Sequence, residues 1–147
     1  MKRKIYLLVT FLLTLAISIF SFVACDKGHV KAEIVSKSDT MVVIKVNETE
    51  GFSTLLDAMN YLKNEGELSF EVSGTMISSI EGKANPADWS SCWMVYTSDA
   101  DFACEDDETI DYDTLEYQGV TYFLAILGAE GLPVSSDGYY IWSYVTF

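Results

Sequence analysis

The chain has 147 residues, half of them hydrophobic, with 9 basic and 22 acidic side chains and one histidine, a formal net charge of −13. That charge repels phosphate backbones and anionic headgroups, which excludes nucleic acid as a partner and an anionic lipid surface as a specific ligand. The length suits one domain with one core.

Met1-Lys2-Arg3-Lys4 carries three positive charges, and no charged side chain follows from Ile5 to Ala24. This is the composition of an export signal. Its apolar length also suits a membrane-spanning helix, and on either reading the basic end stays in the cytoplasm and the rest lies outside. Phe22-Val23-Ala24-Cys25 resembles the lipobox of bacterial lipoproteins, in which small residues precede a cysteine that is acylated at sulfur and becomes the mature N-terminus. Phe22 stands where leucine is usual. The resemblance implies a signal peptide over residues 1–24, lipid attachment at Cys25, and a domain tethered to the extracytoplasmic face of the cell membrane by that anchor. Without residues 1–24, 123 residues remain, and six basic side chains face 22 acidic ones, a formal charge of −16.

Beyond Lys83 there is no Lys, Arg or His, while twelve acids follow, so no cationic side chain there can hold a phosphate. His29, four residues past Cys25, reads as tether and not as ligand or base. Cys92 and Cys104 remain once Cys25 is lipidated, and in an oxidising compartment they are expected to form a disulfide. Closing a loop of about a dozen residues would stabilise by roughly 3 kcal/mol on the chain-entropy model. Neither thiol has a histidine nearby in sequence, which argues against a catalytic cysteine.

The elements follow in order. Residues 25–32 form a polar tether. Met41 to Val46 is a β-branched apolar run, a strand, with Glu33 to Val35 pairing with it or extending it. Thr54-Leu-Leu-Asp57 matches a capping pattern; Leu55, Leu56, Met59 and Leu62 then recur at helical spacing and Gly66 suits a helix end, so a helix is expected from about Ser53 to Glu65. Leu68 to Val72 alternates with period two, and Thr75 to Ile80, Cys92 to Thr97, Thr121 to Leu127 and Tyr139 to Phe147 read as further strands. Asn85-Pro-Ala-Asp88 and Ser135-Ser-Asp-Gly138 are turn clusters.

Taken together, the helix opening Thr54-Leu-Leu-Asp-Ala58, the segment from Phe70 through Gly74 and Ser78-Ser-Ile-Glu-Gly82, the strand Cys92-Trp-Met-Val-Tyr96, and the ending Asp137-Gly-Tyr-Tyr-Ile-Trp-Ser-Tyr144 resemble the transcobalamin-like C-terminal domain. The resemblance covers roughly residues 41–98 and 128–147. It implies an α+β, β-grasp-like fold over residues 33–147, with a mostly antiparallel sheet of about five to six strands packed on a single amphipathic helix. Two departures stand out: Cys92 takes a position usually aromatic, and Asp99 to Leu127 reads as an acidic insertion that a Cys92–Cys104 bond would staple beside Trp93. The vertebrate carriers hold cobalamin between this module and a separate helical domain, for which the chain has no length.

Carried over residue by residue, the family's ligand-facing regions fall on Thr75, Ile77, Ser78, Asn85 and Trp93. An aromatic platform suits a flat macrocycle; equally, Trp93 and Ile77 suit the core of a small β domain. Trp89, Trp142, Tyr139, Tyr140 and Tyr144 would form an exposed aromatic patch unless the insertion folds over them. The acids from Asp99 to Asp113 suit a hard cation by type but lack the spacing of an EF-hand, so a solvated loop and no metal is the expectation. One pair among so many acids could face across a cleft as in a glycosidase. Lacking a glycine-rich phosphate loop, zinc spacing or a GxSxG turn, the chain reads as a non-enzyme without a cofactor. The function expected is a lipid-anchored binding protein that captures a small molecule, a corrinoid in the family's terms, or docks it to a membrane transporter. The alternative is a module that binds a surface protein or polymer.

Overall fold

The computed structural model describes residues 30–104 and 111–147; the expected signal peptide, Cys25, His29, most of the tether and the acids Glu105 to Glu108 lie outside the described residues. Two antiparallel sheets and one α-helix make up the described fold, an α+β arrangement. No described helix is long and apolar enough to cross a membrane.

Strand β1 (Ala32–Lys37) pairs with β2 (Met41–Val46), and helix α1 (Leu55–Asn64) follows. Strands β3 (Phe70–Ser73), β4 (Met76–Ile80) and β5 (Lys83–Ala84) form the smaller sheet in that order. Strands β6 (Ser91–Thr97), β7 (Thr114–Tyr117), β8 (Val120–Leu124) and β9 (Gly138–Thr146) join the first two in a larger sheet of order β1-β2-β9-β6-β8-β7. The C-terminal strand therefore lies between β2 and β6, with Ile141 opposite both Val43 and Tyr96.

Central position explains composition. Val42, Val43, Ile44 and Val46 of β2 are fully buried, because this strand is covered on both faces and an unbroken apolar run meets no solvent. Val42, Ile44, Trp93, Val95, Tyr140 and Trp142 share one face, over which α1 lays Leu55, Ala58, Met59 and Leu62 and the smaller sheet adds Phe70, Ile77 and Ile80. Burial of Leu55, Met59 and Leu62 contributes roughly 1.5–3 kcal/mol each. The Asp57 carboxylate accepts from the Ser53 and Thr54 backbone N–H groups at 2.8 and 3.0 Å, and those bonds hold its pKa below the usual carboxylate value. Across the sheet, Val43, Tyr96, Tyr122 and Ile141 form a second cluster. Tyr96 Oη donates to the Tyr112 carbonyl at 2.6 Å, so the chain returns over that face just before β7.

Three corrections to the sequence reading follow. The fold begins earlier than a tether to residue 32 allows: Lys31 already accepts from the Asn47 N–H at 2.8 Å, and Asn47 Nδ2 reaches the Val30 carbonyl at 3.0 Å. The acidic stretch also holds a strand the sequence reading did not expect: β7 pairs with β8 in a hairpin that extends the larger sheet beyond β6, and Leu115, Tyr117 and Tyr122 of that hairpin pack with Val43, Tyr96 and Ile141. Cys92 and Cys104, expected as a disulfide, are both free thiols. Cys92 stands at the start of β6, opposite Val145, whereas the Cys104 N–H bonds to Leu124, which is level with Tyr96, from the far side of β8. Four residues of strand amount to about 13 Å, beyond the roughly 7 Å Cα separation a disulfide tolerates.

Candidate functional site

A groove opens where the larger sheet is incompletely paired. Strand β8 meets β6 only at Tyr96–Leu124 and Thr97–Phe123; one further bond joins the Ala125 N–H to the Val95 carbonyl at 2.9 Å, after which the chain leaves the edge. The departing loop is held elsewhere: the Ala129 and Leu132 carbonyls accept the first N–H groups of α1, from Leu56 and Leu55, at 2.9 and 2.8 Å. Those two bonds satisfy helix donors that have no partner within the helix. Gly128 lies beside the β3–β4 turn, where a Cβ would sit in ordinary contact with the Thr75 carbonyl at 3.6 Å. The space left between loop, β4 and β6 is about 170 Å³.

Its floor is aromatic and its lips are aliphatic. Trp93 and Trp142, 5% and 3% exposed, line it with Ile77 and Val95, while Met76 and Ile126, 48% and 57% exposed, flank its mouth. Every lining side chain is uncharged. Of the five residues carried over from the family resemblance, Thr75, Ile77 and Trp93 border this groove. Ser78 and Asn85 do not; they line a separate hollow of about 210 Å³ beside Trp89.

Asn85 joins the two sheets. Its Nδ2 donates to the Ile77 carbonyl and its Oδ1 accepts the Trp93 N–H, both at 3.0 Å. The Trp93 indole donates to the Lys83 carbonyl at 2.7 Å, and its ring meets Tyr144 edge-on with centroids 5.3 Å apart. Trp93 is thus a core residue that also presents one surface to the groove, its polar atom already engaged. Trp142 differs: its Nε1 is buried and has no hydrogen-bond partner among the described residues. An unpaired buried donor costs about 1–3 kcal/mol.

The chain matches no family model, no curated protein and no solved structure.

The expected aromatic patch is largely absent among the described residues. Alternation along β9 turns Tyr140, Trp142 and Tyr144 toward the helix-covered core and Tyr139 to the opposite face, which leaves Trp89, 52% exposed, as the exposed member of that set; Phe147, just past β9, is 57% exposed. Trp89 also adopts φ +56°, a conformation disfavoured for a bulky side chain. A wider cleft of about 580 Å³ lies between the β1–β2 and β4–β5 turns, but its Lys37 and Glu81 already pair at 3.3 Å. Asp99 caps a 3₁₀ turn by accepting the Asp101 N–H at 3.0 Å, and no metal-binding group of three acids, cysteines or histidines occurs among the described residues. Sequence reasoning ran a strand on to Leu127, whereas β8 ends at Leu124, and so missed the loop Ile126–Ala129 as a groove wall.

Proposed function

We propose that this chain is a lipid-anchored extracytoplasmic binding protein, held at the membrane through Cys25, whose β-grasp-like domain captures a small organic molecule in the groove between β4, β6 and the Ile126–Ala129 loop. One observation carries the reading: an uncharged groove floored by two buried tryptophans and rimmed by exposed Met76 and Ile126. Apolar walls with few placed polar groups are what a small-molecule site needs. The ligand class implied by the resemblance is a corrinoid. A macrocycle of that size exceeds the groove, so only an edge or an arm would enter, with the ring face resting on the lips.

A second reading is favoured by Trp89. With Met76 and Val72, also exposed, it makes an apolar rim on the β3–β4 side of the molecule, suited to a surface protein or polymer. The experiment incubates the chain lacking residues 1–25 with cobalamin and cobinamide and follows the visible spectrum and tryptophan fluorescence. Saturable quenching that Trp93→Ala weakens is the expected result. If saturating ligand leaves both signals unchanged, the corrinoid assignment fails and the interaction module becomes the working reading.

A further inference from the structure

We infer that the hollow beside Trp89 seats one pyranose ring of a neutral glycan, with the indole stacked on the C–H face of the sugar and the Ser73 and Ser78 hydroxyls meeting its hydroxyl groups. The inference rests on the second reading above, to which it gives a ligand chemistry, and is independent of the groove. Trp89 is the anomaly that points here. Its φ of +56° is one that bulky side chains rarely adopt, and a ring left 52% exposed recovers little of that cost by burial. The conformation is imposed from both sides: the Trp89 N–H closes a turn onto the Pro86 carbonyl at 3.1 Å, and Asp88 accepts the Ser90 N–H and hydroxyl at 3.2 and 2.9 Å. Glycine would suit that backbone better, so a strained tryptophan standing outside the core marks a contact role.

The rest of the hollow selects the ligand. Its space is about 210 Å³, against the roughly 150 Å³ cavity that takes one benzene, so one six-membered ring with its substituents fits. Every lining side chain is uncharged, Asp88 stands next to Trp89, and no basic residue follows Lys83, which disfavours phosphorylated or carboxylated ligands. A purely apolar ring is disfavoured too. Alternation along β4 gives Ile77 to the groove and Ser78 to the hollow, and Ser73, paired with Met76, borders the same space. Ser73 is exposed and Ser78 half-buried, and neither hydroxyl has a hydrogen-bond partner among the described residues. A hydrocarbon would strip water from both and return nothing, whereas each can donate to and accept from a sugar hydroxyl. A pyranose joins the two requirements, because its axial C–H groups make an apolar face for the indole while its hydroxyls project from the ring edge.

The test uses the full-length chain, ¹⁵N-labelled, in phosphatidylcholine nanodiscs, where the three tryptophans give three indole N–H resonances. The probes are the methyl pyranosides of glucose, galactose and mannose, a neutral hexasaccharide of each, glucuronate, and methylcyclohexane. At least one methyl pyranoside is expected to shift the Trp89 resonance saturably while those of Trp93 and Trp142 stay in place. Ser78→Ala should weaken that binding about five- to tenfold, the worth of one hydrogen bond. Trp89→Gly should abolish it and keep Tm within about 5 °C of the parent; a larger loss makes the ring structural and overturns its contact role. A hexasaccharide bound at least tenfold tighter than its methyl pyranoside assigns the ring to a polymer, and equal affinity assigns it to a free sugar; both support the inference. A response to methylcyclohexane as strong as to every sugar overturns the glycan assignment and leaves the rim standing as an apolar contact surface. Preference for glucuronate overturns neutrality. No shift with any probe overturns the second reading together with the inference. The wild-type resonances carry the test even where a variant does not fold.

Discussion

Replacing Asn85 with alanine should uncouple the two sheets. Its amide is the bridge between the Ile77 carbonyl and the Trp93 N–H, each at 3.0 Å, and both residues are buried. Removing it leaves one acceptor and one donor without partners, at about 1–3 kcal/mol each. Asn85 itself borders the open hollow beside Trp89, where water can enter and recover part of that loss. A destabilisation of roughly 2–4 kcal/mol is therefore expected, or a Tm lower by roughly 8–16 °C in a domain of this length. Denaturant unfolding followed by tryptophan fluorescence on the chain lacking residues 1–25 measures it. Asn85→Asp separates the halves: the acceptor for Trp93 survives, while a carboxylate faces the Ile77 carbonyl. Below a pH of about 4 the introduced carboxyl protonates and can donate again, so the deficit of this variant should shrink on acidification. Asn85→Ala within about 0.5 kcal/mol of the parent would refute the bridge.

Burial, with smaller contributions from Cys92, Asp113 and Tyr112, pushes the Tyr96 pKa up to about 12. Against an unfolded value of about 10, the folded state holds its proton longer, so the contribution is complete below pH 10 and is lost as pH rises through 12. Tyr96→Phe should flatten the fall in stability over that window and cost about 1 kcal/mol at neutral pH for the bond to Tyr112; identical slopes in both proteins would contradict this. Thiol titration of the chain lacking residues 1–25 should find two reactive cysteines in denaturant without reductant, with buried Cys92, whose pKa is raised by desolvation, silent until unfolding. A Tm that falls on adding reductant would instead demand a bond between Cys92 and Cys104. Cys25→Ser should abolish incorporation of labelled palmitate, and a variant that still incorporates it would remove the anchor from the proposal.

Much of the larger sheet was legible because its strands are long and buried on at least one face. The apolar run of β2 has the expected bounds Met41–Val46, and α1, expected from about Ser53 to Glu65, spans Leu55–Asn64 with its apolar side where periodicity places it. Strands β5 and β7 were not legible. Each is short and closes a two-residue turn, Glu81-Gly82 before β5 and Gln118-Gly119 after β7, in which both residues have positive φ. Glu and Gln are poor predictors of that conformation, which Asn or Asp would have signalled.

The site was legible only in part. Residue type alone determines that the chain is strongly acidic, lacks any basic residue beyond Lys83, and carries three tryptophans and the pieces of an α+β domain. Three of the five expected ligand contacts share a groove, but the pleat and the turn at Asn85 send Ser78 and Asn85 to another face. Which aromatics are core was a matter of strand parity: β9 lies between β2 and β6, and that pairing fixes Trp142 inward. The fate of the two cysteines depended on register, which no spacing in the sequence contains, because β8 intervenes between them. That Trp142 lacks a partner while Trp93 has one is a fact of three-dimensional proximity, set by β5 bringing the Lys83 carbonyl to one indole and nothing comparable to the other.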